Sequence, residues 1–139
     1  MIIQWFPGHM TKALREMKAQ ASVVDGFLYL LDARCPRACI NPEFDQLISQ
    51  KPCLYVLNKA DLADATVTEG WLRFFRSKKQ GAVTCVATEN RTRAMLLKEI
   101  EKLLSEKMQR MREKGVRKPL RLMVVGVPNC GKSTLINSL

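Results

Sequence analysis

The stretch Leu122-Met123-Val124-Val125-Gly126-Val127-Pro128-Asn129-Cys130-Gly131-Lys132-Ser133-Thr134 decides the fold. An apolar strand runs straight into G-x-x-x-x-G-K-S, and Thr134 to Leu139 reads as the start of a helix. Glycines at both ends let the backbone curl so that successive N–H groups face phosphate oxygens, and the helix N-terminus adds its partial positive charge. Asn129, Cys130, Gly131, Lys132, Ser133 and Thr134 are the candidate phosphate-binding residues. Lys132 is expected to reach the β- and γ-phosphates and Ser133 to ligate Mg²⁺. Cys130 contributes backbone, and no role is assigned to its thiol. The motif alone does not choose between ATP and GTP.

Working backwards from that strand, three more apolar runs are bounded by polar or turn residues: Gly26–Leu31, Cys53–Leu57 and Ala82–Ala87, with the fourth at Leu120–Val125. Helical patterns lie between them, over 10–22, over 41–50 with Asn41 as N-cap and Pro42 in the first turn, and from Thr66 or Thr68 through Trp71 and Phe75. The clearest covers 93–114, where Leu96, Leu97, Ile100, Leu103, Leu104, Met108 and Met111 recur at helical spacing. Alternating strands and helices predict an α/β domain of the P-loop, Rossmann-like kind over residues 1–139, a mostly parallel sheet with helices on both faces. In such sheets ligands bind beyond the carboxyl ends of the strands.

At the end of the second run stands Asn58-Lys59-Ala60-Asp61. A carboxylate accepts two hydrogen bonds from the N1–H and exocyclic amine of guanine, and adenine offers no such donor pair. Asp61 is the candidate for that task. Asn58 would tie the loop, and the stem of Lys59 would cover the ring. The same four residues also serve as a helix start capped by Asp61. Ala87 and Thr88, at the end of the third run, are candidates to meet the base through backbone N–H. The order is unusual: the base-reading motif precedes the phosphate loop by 74 residues between Asn58 and Lys132. Circular permutation moves termini without moving a site that a sheet holds together.

The chain has 139 residues and a net charge of +10. Residues 91–121 carry eleven Lys or Arg against four Glu, which is +7 of that +10. Such a stripe is the footprint of a polyanion binder or a solvated helix face followed by a basic linker. No apolar run approaches the ~18 residues of a membrane span, and the opening residues lack the pattern of a signal peptide. Five cysteines, mostly within apolar runs, suit a reducing compartment, so a cytoplasmic location is expected. Cys35 and Cys39 without a nearby histidine leave a zinc shell unfilled.

Taken together, Ile3-Gln4-Trp5-Phe6-Pro7-Gly8-His9-Met10, Asp32-Ala33-Arg34 with Pro36, Asn41-Pro42, Asn58-Lys59-Ala60-Asp61-Leu62 and Gly126–Ser133 resemble the ribosome biogenesis GTPase A (YlqF) family of circularly permuted GTPases. The resemblance runs from residue 2 to the last residue. It implies a GTP- and GDP-binding GTPase that assembles the large (50S) ribosomal subunit on its precursor and rRNA and is stimulated by the particle. It also implies a hydrophobic residue in place of the usual catalytic glutamine, and His9 as the candidate group acting on the attacking water. A loop histidine that caps a helix or packs on Trp5 is the alternative. Asn129 matches the asparagine that marks K⁺-dependent members. Complete members continue with a switch threonine, a D-x-P-G motif and a helical domain. None of these occurs here, so the chain is expected to be a G domain truncated after the phosphate loop, with the sheet incomplete at its centre beside that strand and little or no hydrolysis by itself. Two other readings compete: a non-catalytic nucleotide- or RNA-binding module, and an ATP-dependent P-loop enzyme.

Overall fold

The computed structural model describes residues 2–5, 15, 18–40, 45, 46, 48, 51–78, 80–86 and 88–126, the first four by backbone alone. Five strands form one sheet: β1 (Ile2–Trp5), β2 (Gly26–Asp32), β3 (Cys53–Asn58), β4 (Gly81–Thr84) and β5 (Arg121–Val125). Their spatial order is β1-β5-β2-β3-β4. Every pairing is parallel, so the carboxyl ends share one edge. β2 and β3 are buried at every position. That explains their continuous apolar runs, since a central parallel strand is covered on both faces.

Helices α1 (Pro36–Cys39), α2 (Ala65–Ser77), α3 (Thr92–Leu103) and α4 (Ser105–Glu113) complete the described elements, and residues 18–21 and 45, 46 and 48 are helical as well. Alternation along the strands splits the interior into two cores. Phe27, Tyr29, Leu31, Tyr55 and Met123 pack with Leu72 and Phe75 of α2. On the other face Leu28, Leu30, Leu54, Val56 and Val124 pack with Leu96 and Ile100 of α3 and with Leu104. The aromatic stack through the first core has ring centroids 5.5 Å apart for Tyr29–Tyr55 and 4.3 Å for Tyr55–Phe75. Helices on both faces are what the alternating pattern predicts.

Four local readings are corrected. α2 is capped by Asp64, whose carboxylate accepts from the N–H groups of Thr66 (2.9 Å) and Val67 (3.1 Å), so the helix begins at Ala65, ahead of both threonines. The long helix of 93–114 is kinked at Leu104, between α3 and α4. The Leu104 side chain is 1 % exposed, and this bend brings α4 across the amino end of the sheet. β4 stops at Thr84: Cys85 N–H still donates to Leu57 O of β3 (2.9 Å), but the Cys85 carbonyl accepts from Ala60 N–H in the loop after β3 (3.2 Å). β1, which the periodicity does not mark, pairs with β5 in register from Ile2↔Arg121 to Trp5↔Val124. β1 therefore flanks the phosphate-loop strand on the side away from β2.

Candidate functional site

The register places the motif ends together. Asp32 is paired with Asn58 across β2 and β3, and Leu57 with Thr84 across β3 and β4. On the other side Tyr29 is paired with Val125, so Gly126 falls level with Leu30, two residues or about 7 Å short of Asp32. Gly126, which follows β5 and leads into the phosphate-loop motif, thus lies two residues below the end of β3, and both strand ends face the same edge.

Asn58, 3 % exposed, anchors the base loop. Its carbonyl accepts from Ala33 N–H (2.7 Å), and its Oδ1 accepts from the Cys85 thiol (3.5 Å). It therefore ties the ends of β2, β3 and β4 in one residue. Lys59 follows with φ +61°, the left-handed region, which only it adopts outside glycine among the described residues. That turn throws the chain off β3 into a 3₁₀ turn, Ala60–Leu62, closed by Leu62 N–H to Lys59 O (3.0 Å). The turn carries Asp61, which is exposed and in position to meet a ligand from solvent.

The group that sequence reasoning left without a role is Asp32. Its side chain is 7 % exposed. Oδ1 accepts from Arg34 N–H (2.9 Å) and Nε–H (3.0 Å), Oδ2 accepts from Arg34 Nη2 (2.7 Å), and Lys59 Nζ lies 3.7 Å from Oδ2. The Arg34 bond, against burial, holds the Asp32 carboxyl below its ordinary value of 3.8, and the charge of Lys59 adds to the shift. Asp32 is thus an ionised floor under the base loop that positions Lys59. Its place at a strand end was legible in the sequence; its partner, one strand over, was not.

The loop after β4 is held by Thr92, whose hydroxyl donates to Val86 O (2.6 Å) at the start of α3. Thr88 lies exposed on this turn. A cavity of about 360 Å³ opens here between Ala60, Cys85, Val86 and Met95. Ala87, His9 and the phosphate-loop residues Asn129, Cys130, Gly131, Lys132, Ser133 and Thr134 lie outside the described residues. The structure therefore brings together Asn58, Lys59 and Asp61, with Thr88 on the neighbouring loop, and places Gly126 at the mouth of the phosphate loop. Among the described residues no helix is long and apolar enough to cross a membrane.

A parallel sheet with a glycine-rich loop after β5 and a base-reading loop after β3, on one edge, defines an α/β domain of the P-loop nucleotide-binding class in permuted order. Comparison with known proteins sharpens this class. No family model matches the chain. Over its whole length, however, it is 44% identical to ribosome biogenesis GTPase A of Priestia megaterium, covering 49% of that protein. It is 38% identical to mouse mitochondrial ribosome-associated GTPase 1, with 99% of this chain and 42% of that protein covered. Among solved structures, GNP-bound YlqF from T. maritima superposes with a TM-score of 0.65 at 32% identity, over 92% of this chain and 47% of that one. The chain is thus a homologue of ribosome biogenesis GTPase A, and it spans about half the length of the curated relatives it matches.

Proposed function

We propose that the chain is the guanine-nucleotide-binding part of a GTPase that acts in assembly of the large ribosomal subunit, with the subunit precursor and its rRNA as partners in the cytoplasm. One observation carries the nucleotide reading: Asn58 ties three strand ends and presents Lys59 and the exposed Asp61 at the edge where the phosphate loop opens. Asp61 receives the two N–H donors of guanine, Asp32 holds Lys59 for the ring face, and the backbone at Ala87 and Thr88 faces the base oxygen. Adenine has no donor pair for Asp61, which disfavours the ATP-dependent reading.

The phosphate side rests on the sequence motif. Asn129, Cys130, Gly131, Lys132, Ser133 and Thr134 cradle the phosphates of GTP or GDP, Ser133 suits Mg²⁺ and Asn129 suits K⁺ by their oxygen donors. Bound there, these cations would supply positive charge where the leaving phosphates gather negative charge. His9 is the residue proposed to act on the attacking water, and activity belongs to the whole parent protein, with weak or no turnover by residues 1–139 alone.

Asp61→Asn tests the central assignment by equilibrium binding of GTP, xanthosine triphosphate and ATP. An amide at residue 61 offers a donor to the xanthine 2-oxo group, so preference should move from GTP to xanthosine triphosphate. An unchanged preference would overturn the role of Asp61.

A further inference from the structure

The opposite, amino-terminal end of the sheet carries a second concave site. A cleft of about 360 Å³ has four cations and two carboxylates in its lining: Lys51 before β3, Asp25 before β2, and Glu106, Lys107, Arg110 and Lys114 from α4 and its end. Its floor is built. Asp25, 5 % exposed, accepts from Arg121 N–H (2.6 Å) at the start of β5 and pairs with Lys107. Lys51 Nζ donates to Val24 O (2.6 Å) and to Ala21 O. Burial, then the neighbouring Lys107 charge, push the Lys51 ammonium below its ordinary range. Lys51 and Lys107 thus share a concave floor in which Asp25 pairs with Lys107. At the rim Arg110 and Lys114 are exposed and form no ion pair among the described residues.

We propose that this cleft seats the phosphodiester backbone of RNA, at the end of the sheet away from the nucleotide. An anion there relieves the repulsion between Lys51 and Lys107 and engages the two rim cations, which form no ion pair among the described residues. The cleft lies on a longer basic surface, since Arg112, Arg117, Lys118 and Arg121 are exposed around it. A bilayer is the poorer occupant: from α4 to Arg121 only Val116 is a large exposed apolar side chain among the described residues, and interfacial helices need an apolar face. β5 spans the five residues between the two ends, about 16 Å, so RNA and guanine nucleotide can be held together. The choice of RNA among polyanions rests on the proposed role at a ribosomal particle.

The test is anisotropy of a labelled single-stranded RNA titrated with the full chain and with its Arg110→Gln/Lys114→Gln variant, from ~0.05 to ~0.2 M salt. Losing two phosphate contacts, each about fivefold at ~0.1 M salt, should weaken binding about 25-fold and make the salt slope shallower by about 1.4. GTP affinity, measured in the same samples, should not change. Arg93→Gln, on α3 and outside the cleft, should cost much less than Arg110→Gln alone. Unchanged RNA affinity and slope would overturn the seat. So would an equal loss from Arg93→Gln, which points to bulk charge, or a loss confined to phosphatidylserine vesicles, which points to a membrane. GTP preference is read by Asp61→Asn separately, so a failed RNA result with intact guanine selection sinks only this seat.

Discussion

Asp32→Asn isolates the charge beneath the base loop while keeping its shape. In the wild type the carboxylate holds the Arg34 guanidinium as a fork, with Nε–H at 3.0 Å and Nη2 at 2.7 Å, and faces Lys59 Nζ at 3.7 Å. Shielded bonds to a charged group contribute ~1.5–3 kcal/mol. The Arg34 side chain is 48% exposed, so the pair is discounted to the ~0.2–1 kcal/mol of an exposed ion pair. The asparagine amide adds a cost of ~1 kcal/mol, because its NH₂ opposes a donor. The sum is ~1–2 kcal/mol, or a fall in Tm of about 3–8 °C for a chain of this length. The pH dependence has a definite sign. The folded pKa of Asp32 lies below the ordinary 3.8, so its stabilisation is present above that value and is lost as pH falls through the folded value. The gap in Tm between wild type and variant should therefore be constant from about pH 8 to about pH 5 and close on further acidification. Circular dichroism melts across that range measure it. Releasing Lys59 should also weaken GTP by about 1.4- to 5-fold, from the ~0.2–1 kcal/mol of its pair. A variant that melts with the wild type at pH 7, or a gap that persists unchanged to the most acid pH at which both fold, refutes the reasoning.

Two further outcomes test the packing. Gly26→Ala places a Cβ 3.0 Å from the Pro52 carbonyl, which already accepts Phe27 N–H, and 3.3 Å from Leu104 and Leu122 side chains; it should cost ~1–3 kcal/mol, read as a lower urea midpoint at constant m-value, and an unmoved midpoint would show that the β2–β3 start has slack. Of the four described thiols Cys35 is exposed and Cys39, Cys53 and Cys85 are buried, with burial pushing Cys85 up to about 12; iodoacetamide at about pH 8 should therefore modify Cys35 first among these four by mass mapping, and labelling of Cys85 as early as Cys35 would show that the base loop opens.

The same structure explains what could be read in advance. β2, β3 and β5 sit in the middle of the sheet, and both faces demand apolar side chains, so their runs are unbroken and visible. β1 has four residues and a neighbour on one side only, which leaves too little periodicity to mark it. The kink at Leu104 is hidden because backbone bonds of helical type run through it, Leu104 N–H to Ile100 O and Met108 N–H to Leu104 O, so the apolar spacing hardly changes. Asn58, Lys59 and Asp61 are legible since their chemistry is contiguous. Asp32 with Lys59 and Asp25 with Lys107 are not, because only strand register and the path of α4 bring them together.

Strand order also accounts for the permuted motifs. A site at the carboxyl edge needs the phosphate-loop strand beside the strand that precedes Asp32, and the base-reading strand next outward; it does not need them in any chain order. The parallel register β5-β2-β3-β4 satisfies this with the last described strand inserted between β1 and β2. That insertion requires β5 to be locked after the other strands are already written in the sequence. Asp25 supplies the lock: its carboxylate accepts Arg121 N–H and its own N–H donates to Arg121 O (2.7 Å), fixing the first residue of β5 beside the residue that precedes β2. The register from Gly26↔Leu122 to Tyr29↔Val125 then follows, and it delivers Gly126 to the edge where Asn58 and Asp61 wait. A late strand in the sequence is thereby made a central strand in space, and the ends of β5 and β3, which lead into the two halves of the proposed nucleotide site, share one edge although their order in the chain is reversed.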